Sequence, residues 1–245
     1  MCITFSFLTL SYILAMRILI KLSWETFKWN SEDNFDYAYI GTLAKKLKKL
    51  HEKGLEIVLV VGGGNIFRGT QHTKGKINEA IGHYMWMLAG VMNGLALSEL
   101  LKAEDLKVKT FSSFDVPRFV DTLSRYKVIE YIDKWYIIIA AGGSGNPYYT
   151  HDSAGVLRAL ELDCDLMVKA TKVDWVYDKD PKKYPDAKKF DTLSLKDAFK
   201  QELKVMDHAA IATAMDNKLP ILVCNTDDIE HLGSDKVFGT KITTD

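Results

Sequence analysis

The sequence has few cysteines and no excess of either charge. Each shortage removes a class of function. Three cysteines occur in 245 residues: Cys2, Cys164 and Cys224. They are too scattered for a disulfide framework and form no CxxC zinc pattern. Cys164 and Cys224 lie at or inside apolar, strand-like runs and read as buried, inert thiols, which fits a reducing cytoplasm. Lys+Arg and Asp+Glu both number 32, so the formal charge is zero. A general nucleic-acid binder would carry a basic excess. The run Lys45, Lys46, Lys48, Lys49 reads as the wet face of a helix. The first 15 residues, MCITFSFLTLSYILA, are apolar, but they lack the positive start of a signal peptide and are too short to span a bilayer. A second methionine, Met16, opens MRILIKLS. Residues 1–15 are therefore expected to be a non-native extension, with a membrane anchor as the rival reading, and 16–245 to be a single domain.

Two common nucleotide signatures are also missing. Gly64 and Gly69 have the Walker A gap, but Thr70 and Gln71 stand where that loop needs Lys and Ser/Thr. No GxGxxG follows a strand, so a dinucleotide fold is unsupported.

What is present is alternation of strand-like and helix-like segments. Strands are expected at 17–22, 55–61, 106–111, 136–141, 165–170 and 220–225, with a last short one at 240–243. Helical spacing appears over 36–53, stopped by Gly54, and over 78–103. In the second of these, Ile81, Met85, Leu88, Met92, Leu95 and Leu100 read as a core stripe. A helix is expected around 118–133 and another after Thr150 and Asp152, running to Leu162. Ser194 with Asp197 resembles a capping box, and Asp207 caps the next helix. Residues 171–191 are polar, contain Pro181 and Pro185, and read as a long loop. Such alternation means an α/β domain with a largely parallel central sheet, whose ligands bind beyond the carboxyl ends of the strands.

Three polar or glycine-containing loops follow strand ends: 23–30, 62–69 and 142–152. GGGNIFRG offers unshielded backbone N–H groups and then Arg68. GGSGNPYYTHD offers a second set, with hydroxyls at Ser144 and Thr150 and a helix N-terminus behind it. Lys21 ends the first strand and Lys169 lies near the end of a later one. Lysines, an arginine and glycine loops together suit phosphoryl transfer, where positioning and charge neutralisation carry most of the catalysis.

The stretches KLSWE, VVGGGNIFRG, MLAGVMNGLAL, GSGNPYYTHDSAGVLRALEL, KATKVDWVYDKDP and KVMDHAAIATAMDNKLPI together resemble the bacterial-type UMP kinases of the amino-acid-kinase fold. The resemblance runs in order from about residue 16 to 243. It implies a three-layer α/β/α sandwich that transfers the ATP γ-phosphoryl group to UMP, with Mg2+ on the ATP and no metal site of its own. It also implies a cytoplasmic homohexamer regulated by UTP and often GTP, with neither nucleic acid nor membrane as partner. Carried over by motif, Lys21, Ser23 and the Trp24 position serve the ATP phosphates, with Gly64 and Arg68 on the ATP side. Thr171, Tyr177 and Asp180 would surround the adenine nucleotide. Gly63 and the run Ser144, Gly145, Asn146, Pro147, Tyr148, Tyr149 and Thr150 would hold UMP. Asp152 and Asp207 would organise Lys21 and Lys169 as the catalytic group. No general base is required, because a UMP phosphate oxygen is already a nucleophile.

The chain departs from the family pattern in two places near the acceptor. The GDHMG motif reads GHYMW, with His83 in the aspartate's place. His151 ends the UMP loop where a small hydroxyl residue is usual. A third departure is more systematic. Trp24, Trp29, Trp86, Trp135 and Trp175 are all the tryptophans in the chain, and each stands on a position where the family carries glycine. Glycine makes up about 7% of an average protein, so five such coincidences by chance are about one in a million. The pattern is what results when UGA codons that specify glycine are read as tryptophan. A buried indole in place of glycine would overpack, by roughly 1–3 kcal/mol each, with added strain at positive φ. The competing functional readings are an inactive, uridine-nucleotide-binding regulatory subunit, which Trp24 would explain, and a sibling kinase acting on an amino acid or carbamate, against which GNPYYT argues.

Overall fold

The computed structural model describes residues 16–68, 75–181, 183–203 and 205–244. Residues 1–15, with the expected extension and Cys2, lie outside them. Strand β1 (Arg17–Leu22) is paired in parallel with β2 (Glu56–Val61) on one side and β6 (Leu166–Thr171) on the other. Beyond β2 come β5 (Ile137–Ala141), β3 (Val108–Ser112) and the two-residue β4 (Asp121–Thr122). Beyond β6 come β10 (Ile221–Asn225), β11 (Thr240–Thr243) and β9 (Thr192–Ser194). Only the β10–β11 pairing is antiparallel in this nine-stranded sheet. The sheet thus has the largely parallel character expected of apolar strands linked by helices.

Side chains alternate across each strand, so the sheet divides two cores. Ile18, Ile20, Ile57 and Leu59 face one core with helix α1 (Tyr37–Glu52). Leu19, Val58, Val60 and Ile138 face the other. That second face is covered by α3 (Arg125–Asp133), α4 (His151–Glu161), α5 (Leu195–Lys200) and α6 (His208–Asp216). The architecture is a three-layer α/β/α sandwich. Asp36 caps α1, Thr150 caps α4, Ser194 caps α5 and Asp207 caps α6, each accepting from a backbone N–H of the first turn. Cys164 and Cys224 are buried, and burial pushes both thiols up to about 12, so they stay protonated.

Three expectations are corrected. The expected core stripe of α2 (Glu79–Lys102) faces outward at Ile81, Met85, Leu88 and Met92, which are 37–53% exposed. The buried face is instead Gly82, Ala89, Gly90, Asn93, Gly94 and Leu97. Small residues win because the helix lies against backbone: a Cβ on Gly63 would stand 2.5 Å from Gly90 N and Trp86 O. The helix expected over 118–133 begins only at Arg125, because 116–122 forms a bridged turn and the edge strand β4. The 171–191 segment is not structureless; β7 (Val176–Tyr177) and β8 (Lys189–Phe190) pair within it.

Helix α2 is long and apolar enough to cross a membrane by length and composition, yet half of its apolar window is buried inside this fold. It is a core helix with one open apolar face.

Candidate active site

The register of the central strands sets the site. Lys21 of β1 and Lys169 of β6 are Cα partners across the parallel pair, so their side chains leave the sheet on the same face. Helix α4 points its N-terminus at them. Asp152, in its first turn, sits between the lysines: Lys21 Nζ is 3.0 Å from Asp152 Oδ1, and Lys169 Nζ donates to Oδ2 at 2.7 Å. Lys169 also donates to the Val205 carbonyl. All three side chains are about 15% exposed or less. Burial alone would push the Asp152 carboxyl up, but Lys21 and then Lys169 overcome it and hold it at about 2. Burial draws Lys169 down from the usual lysine range, against the pull of Asp152. Two cations share the Asp152 carboxylate, and Asp207 adds a further, weaker pull on Lys169.

Asp207 stands behind this cluster. It accepts from Thr150 Oγ1 at 2.5 Å and Ser153 Oγ at 2.7 Å, and caps its own helix through Ala210 N. It fixes the start of α4, whose first-turn N–H groups and dipole add positive potential at the lysines. Ser153 was not anticipated from sequence, although its place one turn from a capping threonine is a usable signal.

Two turns flank the lysines. At the end of β1, Ser23 N donates to Ala170 O at 3.2 Å, and Ser23 caps a single 3₁₀ turn, Trp24–Thr26. The Trp24 indole lies on the glycine turn after β2; a Cβ on Gly64 would be 2.8 Å from its ring. The Arg68 guanidinium covers the indole at 3.7 Å from the ring centroid, and Arg68 Nε donates to Gly64 O at 3.3 Å. Trp24, Gly64 and Arg68 are therefore one stack. Thr171, Tyr177 and Asp180 come together elsewhere, lining a cavity of about 590 Å³ that Lys169 joins to the charged cluster.

The third turn, 142–150, requires glycine. Gly142, Gly143 and Gly145 have φ of +79°, +61° and +81°, and a Cβ on Gly145 would meet Ser113 O at 2.7 Å. Ser144 Oγ accepts from Asn146 N within it. Pro147 follows, and Tyr148 and Tyr149 project outward, more than half exposed. Tyr148 itself has φ +69°, a conformation that costs a non-glycine residue energy and is common where function constrains the backbone. His83 of α2 reaches this loop, its ring centroid 5.1 Å from that of Tyr148.

His151 is buried beneath the turns. Cβ atoms on Gly90 and Gly143 would lie 3.6 and 3.7 Å from its Nε2, and no described group hydrogen-bonds that nitrogen. Burial, then Lys21, pushes the imidazole down to about 4, against Asp152. The unfolded chain takes up this proton near the usual 6.5 while the folded chain refuses it until about 4. Stability should therefore fall as pH drops through that window. Asp152, depressed to about 2, adds a further loss only below the ordinary 3.8. Urea melts against pH should show His151→Gln removing the upper part of this slope and keeping the lower; an unchanged upper slope would contradict the assignment.

Four of the five tryptophans are half-buried and Trp135 is exposed. The Trp86 ring stands edge-on to the buried His151 at 5.3 Å, and its Nε1 is itself buried with no hydrogen-bond partner among the described residues. Trp29 stacks on Tyr39 at 4.3 Å, Trp135 on His51 at 4.4 Å, and Lys189 covers Trp175 at 3.8 Å. Positive φ occurs at one of the five, Trp135 (+63°).

Residues 16–225 match the model of the amino acid kinase family. The chain is 42% identical over 207 residues to the uridylate kinase of Rickettsia prowazekii, covering 84% of this chain and 86% of that protein. It is likewise 42% identical over 209 residues to the uridylate kinase of Haemophilus ducreyi, covering 85% and 88%. Among solved structures, the UMP kinase of Bacillus anthracis superposes with a TM-score of 0.90 at 30% identity, over 94% of this chain and 96% of that one. The UMP kinase of Ureaplasma parvum gives 0.88 at 30% identity, over 94% and 99%.

Proposed function

The chain belongs to the amino acid kinase family, and on that footing we infer that it is a uridylate kinase, a nucleoside monophosphate kinase that converts UMP and ATP to UDP and ADP. The observation that carries the reading is the pair of lysines sharing Asp152 at the N-terminus of α4, flanked by glycine turns, in a chain 42% identical to uridylate kinases. In this reading Lys21 and Lys169 take up the negative charge that spreads over the transferring phosphoryl oxygens. Asp152 holds the two ammonium groups at fixed positions, and Asp207 holds α4. The UMP phosphate oxygen attacks the γ-phosphorus, the bond to the ADP bridging oxygen breaks, and no protein base is needed. The 590 Å³ cavity at Thr171, Tyr177 and Asp180 takes the adenine nucleotide. The loop Ser144–Thr150, with Gly63 and His83, takes UMP.

Magnesium belongs to the proposal as part of the ATP complex. No group of three or more His, Cys, Asp or Glu side chains converges among the described residues. Both Asp152 oxygens already face lysines. This donor set fits an ion ligated mainly by the triphosphate's own oxygens, where it would offset β- and γ-phosphate charge.

A cytoplasmic homohexamer with UTP and GTP as effectors completes the proposal. The open face of Ile81, Tyr84, Met85, Leu88 and Met92 on α2 supports self-association, since apolar surface of this kind marks interfaces. Light scattering should return the mass of six chains; a monomer would remove this part. An inactive regulatory subunit is not favoured, because the relatives it would have to diverge from are kinases. The reading as a whole is tested by phosphoryl transfer from ATP to UMP, CMP, AMP and GMP in parallel. UMP should be the preferred acceptor.

A further inference from the structure

Two asparagines take no part in the charged cluster or the flanking stack. Asn93 is fully buried on the sheet-facing side of α2, and Asn65, in the turn after β2, is 8% exposed. Their amides face each other reciprocally. Asn93 Nδ2 donates to Asn65 Oδ1 at 2.6 Å, and Asn65 Nδ2 donates to Asn93 Oδ1 at 3.1 Å. Each amide has a second bond to backbone. Asn93 Nδ2 donates to Gly62 O at 2.5 Å, and Asn65 Nδ2 donates to Asn34 O at 2.8 Å. Four hydrogen bonds thus join α2, the glycine turn and the segment ahead of α1. A buried polar pair with every donor used is a fixed geometry, because any shift leaves a group unpaired.

The bond to Gly62 O has a geometric consequence. A trans peptide is planar, so the Gly62 carbonyl and the Gly63 N–H point in opposite directions. Asn93 draws the carbonyl towards α2, and Gly63 itself is pressed on that helix. The Gly63 N–H is then directed away from α2, and no described group accepts it. We propose that the Asn65–Asn93 pair is a positioning device for nucleotide binding, holding the Gly62–Gly63 peptide so that its N–H is presented to a phosphate oxygen of UMP. This rests on the uridylate kinase reading. The link to Asn34 O also makes the 30–36 segment part of the same unit.

The test is UMP affinity by titration calorimetry on the full chain and on Asn93→Asp, between pH 6 and pH 8. An ionised carboxylate at position 93 can only accept, so it cannot bond Gly62 O. A protonated carboxyl there can donate, and burial raises its pKa into reach. N93D should bind UMP about tenfold or more weakly than the parent at pH 8, with the gap closing as pH falls to 6. Asn93→Leu should show the loss without recovery. A purely structural role shows the pH-dependent gap in urea melts instead, with the UMP affinity of the folded protein equal to the parent's at both pH values. N93D matching the parent at pH 8, or a gap that stays constant with pH, would overturn the proposal. Should N93D fail to fold, Asn93→Leu carries the test at pH 8, where the same loss of about tenfold or more is expected. A parent that does not bind UMP overturns the kinase reading and this proposal with it, whereas a binding parent and an unaffected variant overturn this proposal alone.

Discussion

Replacing Trp24 with glycine is expected to raise UMP-dependent ADP formation at least about tenfold, in line with removing a blocked donor from a phosphate site. Trp24 follows Ser23 at the carboxyl end of β1; the N–H groups of Ser23, Glu25, Thr26 and Phe27 are hydrogen-bonded within the fold, and that of Trp24 has no acceptor among the described residues. Its indole fills the space between that turn and Gly64 and engages Arg68 on its other face. Anion-binding turns need backbone that side chains do not shield. W24G reopens the turn and moves Arg68 off the ring. Initial rates with saturating ATP and UMP measure this; a variant no faster than its parent would show that the indole does not obstruct the phosphates.

All five tryptophans share one explanation that Trp24 alone would not suggest. We propose that they are glycines, encoded by UGA in a lineage that reads it as glycine. Trp135, at φ +63° and 42% exposed, holds a backbone conformation natural to glycine. The codons decide the point: UGA at all five supports it, and UGG at any one removes it.

Lys169→Met carries the second large effect. It should lower kcat by about 10²–10³-fold, the usual loss when one preorganised donor to transition-state charge is removed. Lys21 would be left alone against Asp152, and one of the two cations proposed to meet the phosphoryl charge would be gone. Far-UV circular dichroism should be unchanged, since methionine fills the stem's volume. A fall of less than threefold in kcat would mean that Lys169 serves only to hold Val205 and Asp152.

The sheet was legible because its strands are short apolar runs ending in polar turns, and the lysines because a charge near the end of such a run is conspicuous. Helix α2 was misread for a physical reason. Hydrophobic periodicity assumes that large apolar side chains face the core. Here Gly82, Gly90 and Gly94 face it: Gly90 lies against the backbone of the glycine turns, and Gly94 against the side chains of Ala141, Ile139 and Thr110. Ile81, Met85, Leu88 and Met92 were left on the outside. Asn65 and Asn93 escaped notice because an asparagine's value lies in a partner far along the chain. His151 read as a loop residue, and only packing against three glycine-containing segments shows that it is interior.

The acceptor assay is the most direct measurement. The full chain, as written and with all five tryptophans changed to glycine, is supplied with ATP and each of UMP, CMP, AMP and GMP, and ADP is followed. The account predicts rapid turnover with UMP in the glycine form, little with the other three, and far less in the chain as written. Absence of UMP-dependent ADP formation in both forms would contradict it.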